Sequence, residues 1–216
     1  MTRQRIGILG GTFDPVHVGH LALARAARDA LALDEVRFVP TARSWQKGAA
    51  GASAQQRLAM VRLAVGATPG FGVDAREVER GGSSYTIDTL QALRAELGPQ
   101  PALVLLIGSD QLRNLWSWRR ADQLLDYAHI ACTQRGPSDP APLAPEVEAL
   151  IDAHGRDALP DEAAGSIVFF TMPPVPVSAT ALRAELARGA RPRELVPPGV
   201  LDYIETHRLY RRDSAH

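Results

Sequence analysis

The stretch Gly10-Gly11-Thr12-Phe13-Asp14-Pro15-Val16-His17-Val18-Gly19-His20 gathers residues whose types and spacing suit phosphate. The adjacent Gly10 and Gly11 let the backbone come close to a ligand. The apolar run Ile6–Leu9 enters the loop, and a helical pattern leaves it at Val18. Thr12 and the helix start therefore present N–H groups without intrahelical partners, at the positive end of the helix dipole, which together make an anion site. His17 and His20 are three apart and share a face, so two imidazoles can donate hydrogen bonds to phosphate oxygens. Other readings fit less well. Gly7, Gly10 and Gly11 do not form Gly-x-Gly-x-x-Gly, and Asp34 and Glu35 precede the second strand instead of following it. A metal site on His17 and His20 would need further ligands.

Two other places add to this chemistry. Ser178 is a good N-cap residue, and Thr180 and Arg183 fall in the first turns of the helix it opens. Hydroxyls, N–H groups and a guanidinium at a helix start suit a triphosphate. Lys47 is the only lysine; every other basic residue apart from histidine is arginine. Where charge alone serves, arginine has been used, so a retained lysine points to a need for a compact point charge.

These residues need elements to hold them. Arg5–Leu9 reads as a strand and Val18–Leu31 as a helix, with Leu21, Ala24, Ala27 and Leu31 on one face. Glu35–Val39 is a second strand closed by Pro40. Ala54–Val65 is a second helix with Leu58, Val61 and Val65 aligned, and Gly72–Ala75 is a short strand. Thr86–Leu97 is a helix ended by Gly98-Pro99. Ala102–Ile107 is continuously apolar, as a central parallel strand buried on both faces should be. Trp118–Leu125 and Leu143–His154 read as helices, His129–Thr133 and Ile167–Thr171 as strands, and the Pro-rich 135–145 as a loop. Ala179–Arg188 and Pro198–His207 close the chain as helices. The alternation implies an α/β, Rossmann-like doubly wound sheet, mainly parallel, with helices on both faces. Such sheets bind ligands at the carboxyl ends of their strands, where the loop at 10–20 lies.

The 216 residues suit a single domain over 1–216, with motifs at 10–20 and 177–183 and a helical segment at about 190–210. Apolar content of 45% and charged content of 22% are those of a globular protein, and the zero net charge argues against nucleic acid or an anionic membrane as partner. Cys132 is the only cysteine, which excludes an internal disulfide and multi-cysteine metal sites; in its apolar run it reads as a small buried residue. No run reaches the roughly 18 apolar residues of a membrane span, and the run after Arg5 is too short for a secretory signal, so a cytoplasmic protein is expected. Monomer and homodimer are both open.

Residues 10–20 resemble the signature of the nucleotidyltransferase superfamily with a His-x-Gly-His motif. Val177-Ser178-Ala179-Thr180-Ala181-Leu182-Arg183 is similar to its Ile-Ser-x-Thr-x-x-Arg segment, with Val177 for the usual isoleucine. Further segments resemble bacterial nicotinate-nucleotide adenylyltransferase over nearly the whole chain: Ser83-Ser84-Tyr85-Thr86 with Asp88-Thr89-Leu90, Ile107-Gly108-Ser109-Asp110, Trp116-Ser117-Trp118-Arg119, and Leu195-Val196-Pro197 with Tyr203-Ile204 and Leu209-Tyr210. One departure stands out. The family's second loop commonly has a histidine before its lysine; here Gln46 precedes Lys47.

The resemblance implies adenylyl transfer from ATP to nicotinate mononucleotide, giving the dinucleotide and pyrophosphate, with Mg2+ held mainly by ATP phosphates and water. The nucleophile is a phosphate monoester with a second pKa of about 6, so it needs no general base. Gly10, Gly11, Thr12 and Phe13 would face the phosphates. His17 and His20 would donate to the α-phosphate and leaving group, while Lys47, Ser178, Thr180 and Arg183 would hold the other phosphates. Gly108 and Asp110 would meet the ATP ribose. Tyr85 and Trp118 would stack on the pyridine ring, and N–H groups near Thr86 and Arg119 would receive its carboxylate, with Trp116 left to the core. The alternative is a relative acting on nicotinamide mononucleotide or phosphopantetheine; the latter would lack the Ser-Tyr-Thr and tryptophan segments. A catalytically dead nucleotide-binding module should have lost His17, His20 or Lys47, and all three are present.

Overall fold

The computed structural model describes residues 3–43, 51–134 and 142–211. In chain order the elements are β1 (Arg5–Gly11), α1 (Val18–Leu31), β2 (Glu35–Pro40), α2 (Ala54–Val65), β3 (Phe71–Val73), α3 (Arg76–Arg80), α4 (Thr86–Leu97), β4 (Ala102–Gly108) and α5 (Ser109–Arg113). Then follow α6 (Leu124–Tyr127), β5 (His129–Gln134), α7 (Pro145–His154), β6 (Gly155–Arg156), β7 (Ile167–Thr171), α8 (Ala179–Ala187) and α9 (Pro198–Thr206). The strands form one sheet in the order β3-β2-β1-β4-β5-β7-β6. β1 pairs with β4, β4 with β5, and β7 with both β5 and β6, all in parallel. This is the Rossmann-like α/β architecture expected, and the order reverses between β1 and β4.

The chain packs as two units, each built from separate stretches: 1–10, 23–37 and 85–174 in the first, 11–22, 38–84 and 175–216 in the second. In the first, β4 is the apolar spine. Leu103, Val104, Leu105 and Leu106 are all buried, flanked in register by Ile6 and Ile8 of β1 and by Ile130 and Ala131 of β5. Each such aliphatic side chain contributes about 1.5–3 kcal/mol relative to exposure. Ile87, Leu90 and Leu93 form the buried stripe of α4, at the i, i+3 spacing of one helix face. Gly7 lets neighbouring side chains close in, because a Cβ there would come within 2.8 Å of the Leu33 side chain and 3.2 Å of Leu106 and Val36. Cys132 is buried as expected, and burial pushes its thiol up to about 12.

In the second unit, α2 packs on α9. α2 starts with a capping box: Ser53 Oγ accepts from the Gln56 N–H, and the Gln56 side chain accepts from the Ser53 N–H. β3 is Phe71–Val73 instead of Gly72–Ala75, because Phe71 meets Phe38 edge-on at 5.5 Å.

The region expected to be helical over Trp118–Leu125 is broken. Two 3-10 turns, Leu115–Ser117 and Ala121–Gln123, precede α6, and between them Trp118 is extended and Arg120 left-handed at φ 54°. Arg120 is held there by its guanidinium, which donates to Gln123 Oε1 at 2.7 Å. Trp116 is 42% exposed and not a core residue; Leu115 is the side chain that this turn buries. α7 starts at Pro145 rather than Leu143, since proline suits the first helical position and not a later one.

His129 sits fully buried in the first unit. Its Nδ1 accepts the Ser166 N–H at 3.1 Å, so the ring proton is on Nε2, which donates to the Glu162 carbonyl at 2.9 Å. Burial lowers its pKa below 6.5, against the pull of that carbonyl. Below pH 6.5 the unfolded chain therefore takes up a proton that the folded chain refuses. This stabilisation is complete above 6.5 and declines as the pH falls. Urea midpoints measured from pH 7.5 to 5 should fall, and His129→Gln should flatten the slope; equal slopes would contradict the assignment.

Candidate active site

The loop after β1 lies in the second unit from Gly11 onward, and its carbonyls are held from outside. Gly11 O accepts the Thr41 N–H at 2.9 Å, Thr12 O accepts Arg57 Nη1 at 2.6 Å, and Asp14 O accepts Arg183 Nη1 at 2.8 Å. In a trans peptide the N–H points opposite to the carbonyl. Fixing the Gly11 and Thr12 carbonyls therefore fixes the Thr12 and Phe13 N–H groups. Phe13 turns the chain at φ 50°, a conformation unusual for a bulky residue. Its ring is buried against His20 at 4.9 Å and Phe38 at 5.9 Å.

His17 and His20 meet as the spacing predicts. Their rings stack with centroids 3.7 Å apart and planes 25° apart. The His17 N–H donates to His20 Nδ1 at 3.2 Å, so the neutral His20 ring carries its proton on Nε2. That bond caps the first turn of α1 and sets His20 as an Nε2–H donor. Gly19 is the only residue type that fits between: a Cβ there would stand 2.7 Å from Val177 and 3.1 Å from the His17 ring.

Val177 belongs to the second motif, which the fold brings to the first loop. Ser178 is the N-cap of α8 as expected, but its hydroxyl makes no capping hydrogen bond. Thr180 Oγ1 accepts Arg183 Nη2 at 3.3 Å, and Arg183 Nη1 stands 3.8 Å from Asp14 Oδ2.

Beneath the loop is a pair of charges that sequence reasoning did not single out. Asp14 is 5% exposed and Arg57 is 2% exposed. Asp14 Oδ2 accepts the Gly51 N–H at 2.7 Å; Oδ1 accepts the Ala52 N–H at 3.1 Å and the Tyr210 hydroxyl at 2.7 Å. Arg57 donates to Ala52 O, Thr12 O and Ala42 O. Burial lowers the Arg57 pKa, and the Asp14 charge opposes that. Asp14 lies inside the motif, but nothing in its local pattern shows that it faces inward.

The other residues that the motifs singled out lie in the first unit. Gly10 is exposed at the end of β1, and a Cβ on it would meet nothing within 4 Å among the described residues. Gly108 ends β4, and a Cβ there would be 2.7 Å from Asp110 Oδ1, so the carboxylate lies over the glycine. Tyr85 is the N-cap of α4 without a side-chain capping bond, and Thr86 is the first helical residue. Arg119 stands over the Tyr85 ring at 4.7 Å, a cation–π contact. The Trp118 Nε1 is buried and has no hydrogen-bond partner among the described residues. Lys47 and Gln46 lie outside the described residues. Among the described residues no group of three or more His, Cys, Asp or Glu could hold a metal ion, and no helix is long and apolar enough to cross a membrane.

The sequence model of the cytidylyltransferase-like family matches residues 8–185, a span that contains both motifs. Fold and site thus define the class, a cytidylyltransferase-like nucleotidyltransferase. The chain is 46% identical to a "Probable nicotinate-nucleotide adenylyltransferase" of Laribacter hongkongensis, over 99% of this chain and 98% of the relative. It is 47% identical to the protein so named in Aeromonas salmonicida, over 99% and 100%. The chain belongs to this nicotinate-nucleotide adenylyltransferase family. In fold it is similar to the Plasmodium falciparum nicotinic acid mononucleotide adenylyltransferase complexed with NaAD, with TM-score 0.71 and 17% identity over 96% of this chain and 97% of that one.

Proposed function

We propose that the protein transfers the adenylyl group of MgATP to the phosphate of nicotinate mononucleotide, forming nicotinate adenine dinucleotide and pyrophosphate. The observation that carries this reading is the joining of two phosphate-binding motifs through Arg183 and Asp14, with His20 set as an Nε2–H donor beside them. Two near-full-length relatives named for this reaction support it.

An oxygen of the mononucleotide phosphate attacks the α-phosphorus of ATP. The new O–P bond forms as the bond from the α-phosphorus to the β,γ-bearing oxygen breaks, and pyrophosphate leaves with that electron pair. The nucleophile is already a dianion near neutral pH, so no residue has to remove a proton. The protein's part is positioning and neutralisation of charge. His20 Nε2–H and His17 donate to the α-phosphate and leaving oxygens. The Thr12 and Phe13 N–H groups, with Gly10 and Gly11 allowing close approach, hold the α- and β-phosphates. Ser178, whose hydroxyl is not spent on capping its helix, joins Thr180, Arg183 and Lys47 on the remaining phosphates. Magnesium arrives as part of MgATP, on phosphate and water oxygens, a hard-oxygen set that imidazoles do not supply.

Asp110 binds the ATP ribose beside Gly108. Trp118 stacks on the pyridine ring together with Tyr85, one of whose faces carries Arg119. The first N–H groups of α4, at Thr86, and those near Arg119 receive the nicotinate carboxylate; an amide would turn its own N–H toward these donors and bind less well. Pyrophosphate release from MgATP should be fastest with nicotinate mononucleotide, slower with nicotinamide mononucleotide and absent with phosphopantetheine. Release with phosphopantetheine alone would overturn the substrate.

A further inference from the structure

The proposed reaction gives Leu209 and Tyr210 no task. Tyr210 is nevertheless delivered to the site at some cost: its φ is 62° and that of Arg208 is 51°, both in the left-handed region that disfavours side chains. Its ring lies against the backbone of Gly51, where a Cβ would stand 2.9 Å from Cδ1 and Cε1. Its hydroxyl donates to Asp14 Oδ1 at 2.7 Å. The same carboxylate accepts from Gly51 and Ala52, the residues that lead into Ser53, the N-cap of α2. One turn into α2, Arg57 reaches back to the Thr12 carbonyl. The contacts close a ring that runs from Tyr210 to Asp14, to Gly51 and Ala52, to α2, to Arg57 and back to the loop two residues before Asp14.

We propose that Tyr210 is a positioning residue for the nucleotide site: by holding the Asp14 carboxylate on the Gly51 and Ala52 N–H groups, it keeps the start of α2, and with it Arg57, set against the phosphate loop. The proposal rests on the reading of residues 10–20 as that loop. Burial and the bond to Asp14 raise the Tyr210 pKa, so the hydroxyl keeps its proton and stays a donor throughout the working range. Without it, Oδ1 loses the shorter of its two donors, and the Thr12–Phe13 peptide loses the rigidity that aims its N–H. The effect therefore falls on ATP and not on the pyridine substrate.

The test compares Tyr210→Phe, Asp14→Asn, the double variant and Leu209→Ala in the full chain, with the unaltered enzyme assayed alongside for release of pyrophosphate. Leu209 is buried in the same turn and touches none of these groups through a polar bond, so its truncation reports loosening alone. Tyr210→Phe is expected to raise KM for MgATP about 10-fold, the size of a lost hydrogen bond to a charged group. KM for nicotinate mononucleotide should stay within about twofold, and the double variant should be no worse than Asp14→Asn, because the two residues act through one bond. Leu209→Ala should lower Tm and leave KM for MgATP unchanged. The proposal is overturned if Tyr210→Phe moves only Tm, if Leu209→Ala reproduces the rise in KM, or if the two polar variants add. Absence of pyrophosphate release by the unaltered enzyme with nicotinate mononucleotide would instead overturn the proposed function, and with it the phosphate loop on which this role depends.

Discussion

His20→Ala should lower kcat about 100-fold or more, with a much smaller change in KM, because in the proposed mechanism the lost group donates to charge that develops only in the transition state. Alanine removes two things at once, however. It deletes the Nε2–H donor, and it removes the Nδ1 acceptor that binds the His17 N–H at 3.2 Å. Two further variants separate them. Asparagine places a polar group near the position of Nδ1 and nothing at Nε2; glutamine places an amide N–H near Nε2. If the donor is what matters, His20→Asn is as slow as alanine and His20→Gln regains a measurable part of the rate. If asparagine is the better of the two, the contribution of His20 is the capping bond, and the donor role fails.

The second large effect is on stability. Arg57 is 2% exposed and donates to the carbonyls of Ala52, Thr12 and Ala42, with Asp14 as its compensating charge. Arg57→Met fills most of the same channel but leaves these carbonyls without their donor and Asp14 with less positive charge nearby. A loss of about 3 kcal/mol or more is expected, which for a chain of this size lowers Tm by about 6–12 °C. KM for MgATP should rise as well, since the Thr12 carbonyl is no longer held. A Tm within about 2 °C of the parent protein would show that Arg57 contributes far less than its buried bonds suggest.

Much of this arrangement is legible in the sequence, and the reason is locality. The loop at 10–20, its two histidines and the helix that starts at Val18 are contiguous, so their spacing carries their geometry. β4 and α4 announce themselves by unbroken apolarity and by a clean helical stripe. Arg57 shows the limit. It lies next to Leu58 on an amphipathic helix, where an arginine ordinarily marks the edge of a solvated face; only the partners that come from residues 12 and 42 turn it inward. The same holds for Asp14 and Tyr210, which are 196 residues apart and meet at 2.7 Å. The stretch Trp116-Ser117-Trp118-Arg119-Arg120 has no clear period, and its structure is set by a left-handed arginine and its bond to Gln123, which no pattern of apolar residues encodes. α3, α5 and β6 have five residues or fewer, too short for a period to show. Ser178 illustrates a subtler gap: the capping position is legible, but that its hydroxyl makes no capping bond is visible only in three dimensions.

The proposed reaction moves the α-phosphorus of ATP to the phosphate of nicotinate mononucleotide. Incubation of the enzyme with Mg2+, nicotinate mononucleotide and ATP labelled with 32P in either the α or the γ position tests it directly. The α label should appear in nicotinate adenine dinucleotide and the γ label in pyrophosphate, at equal rates. An α label that remains in ATP or appears only in AMP would contradict it.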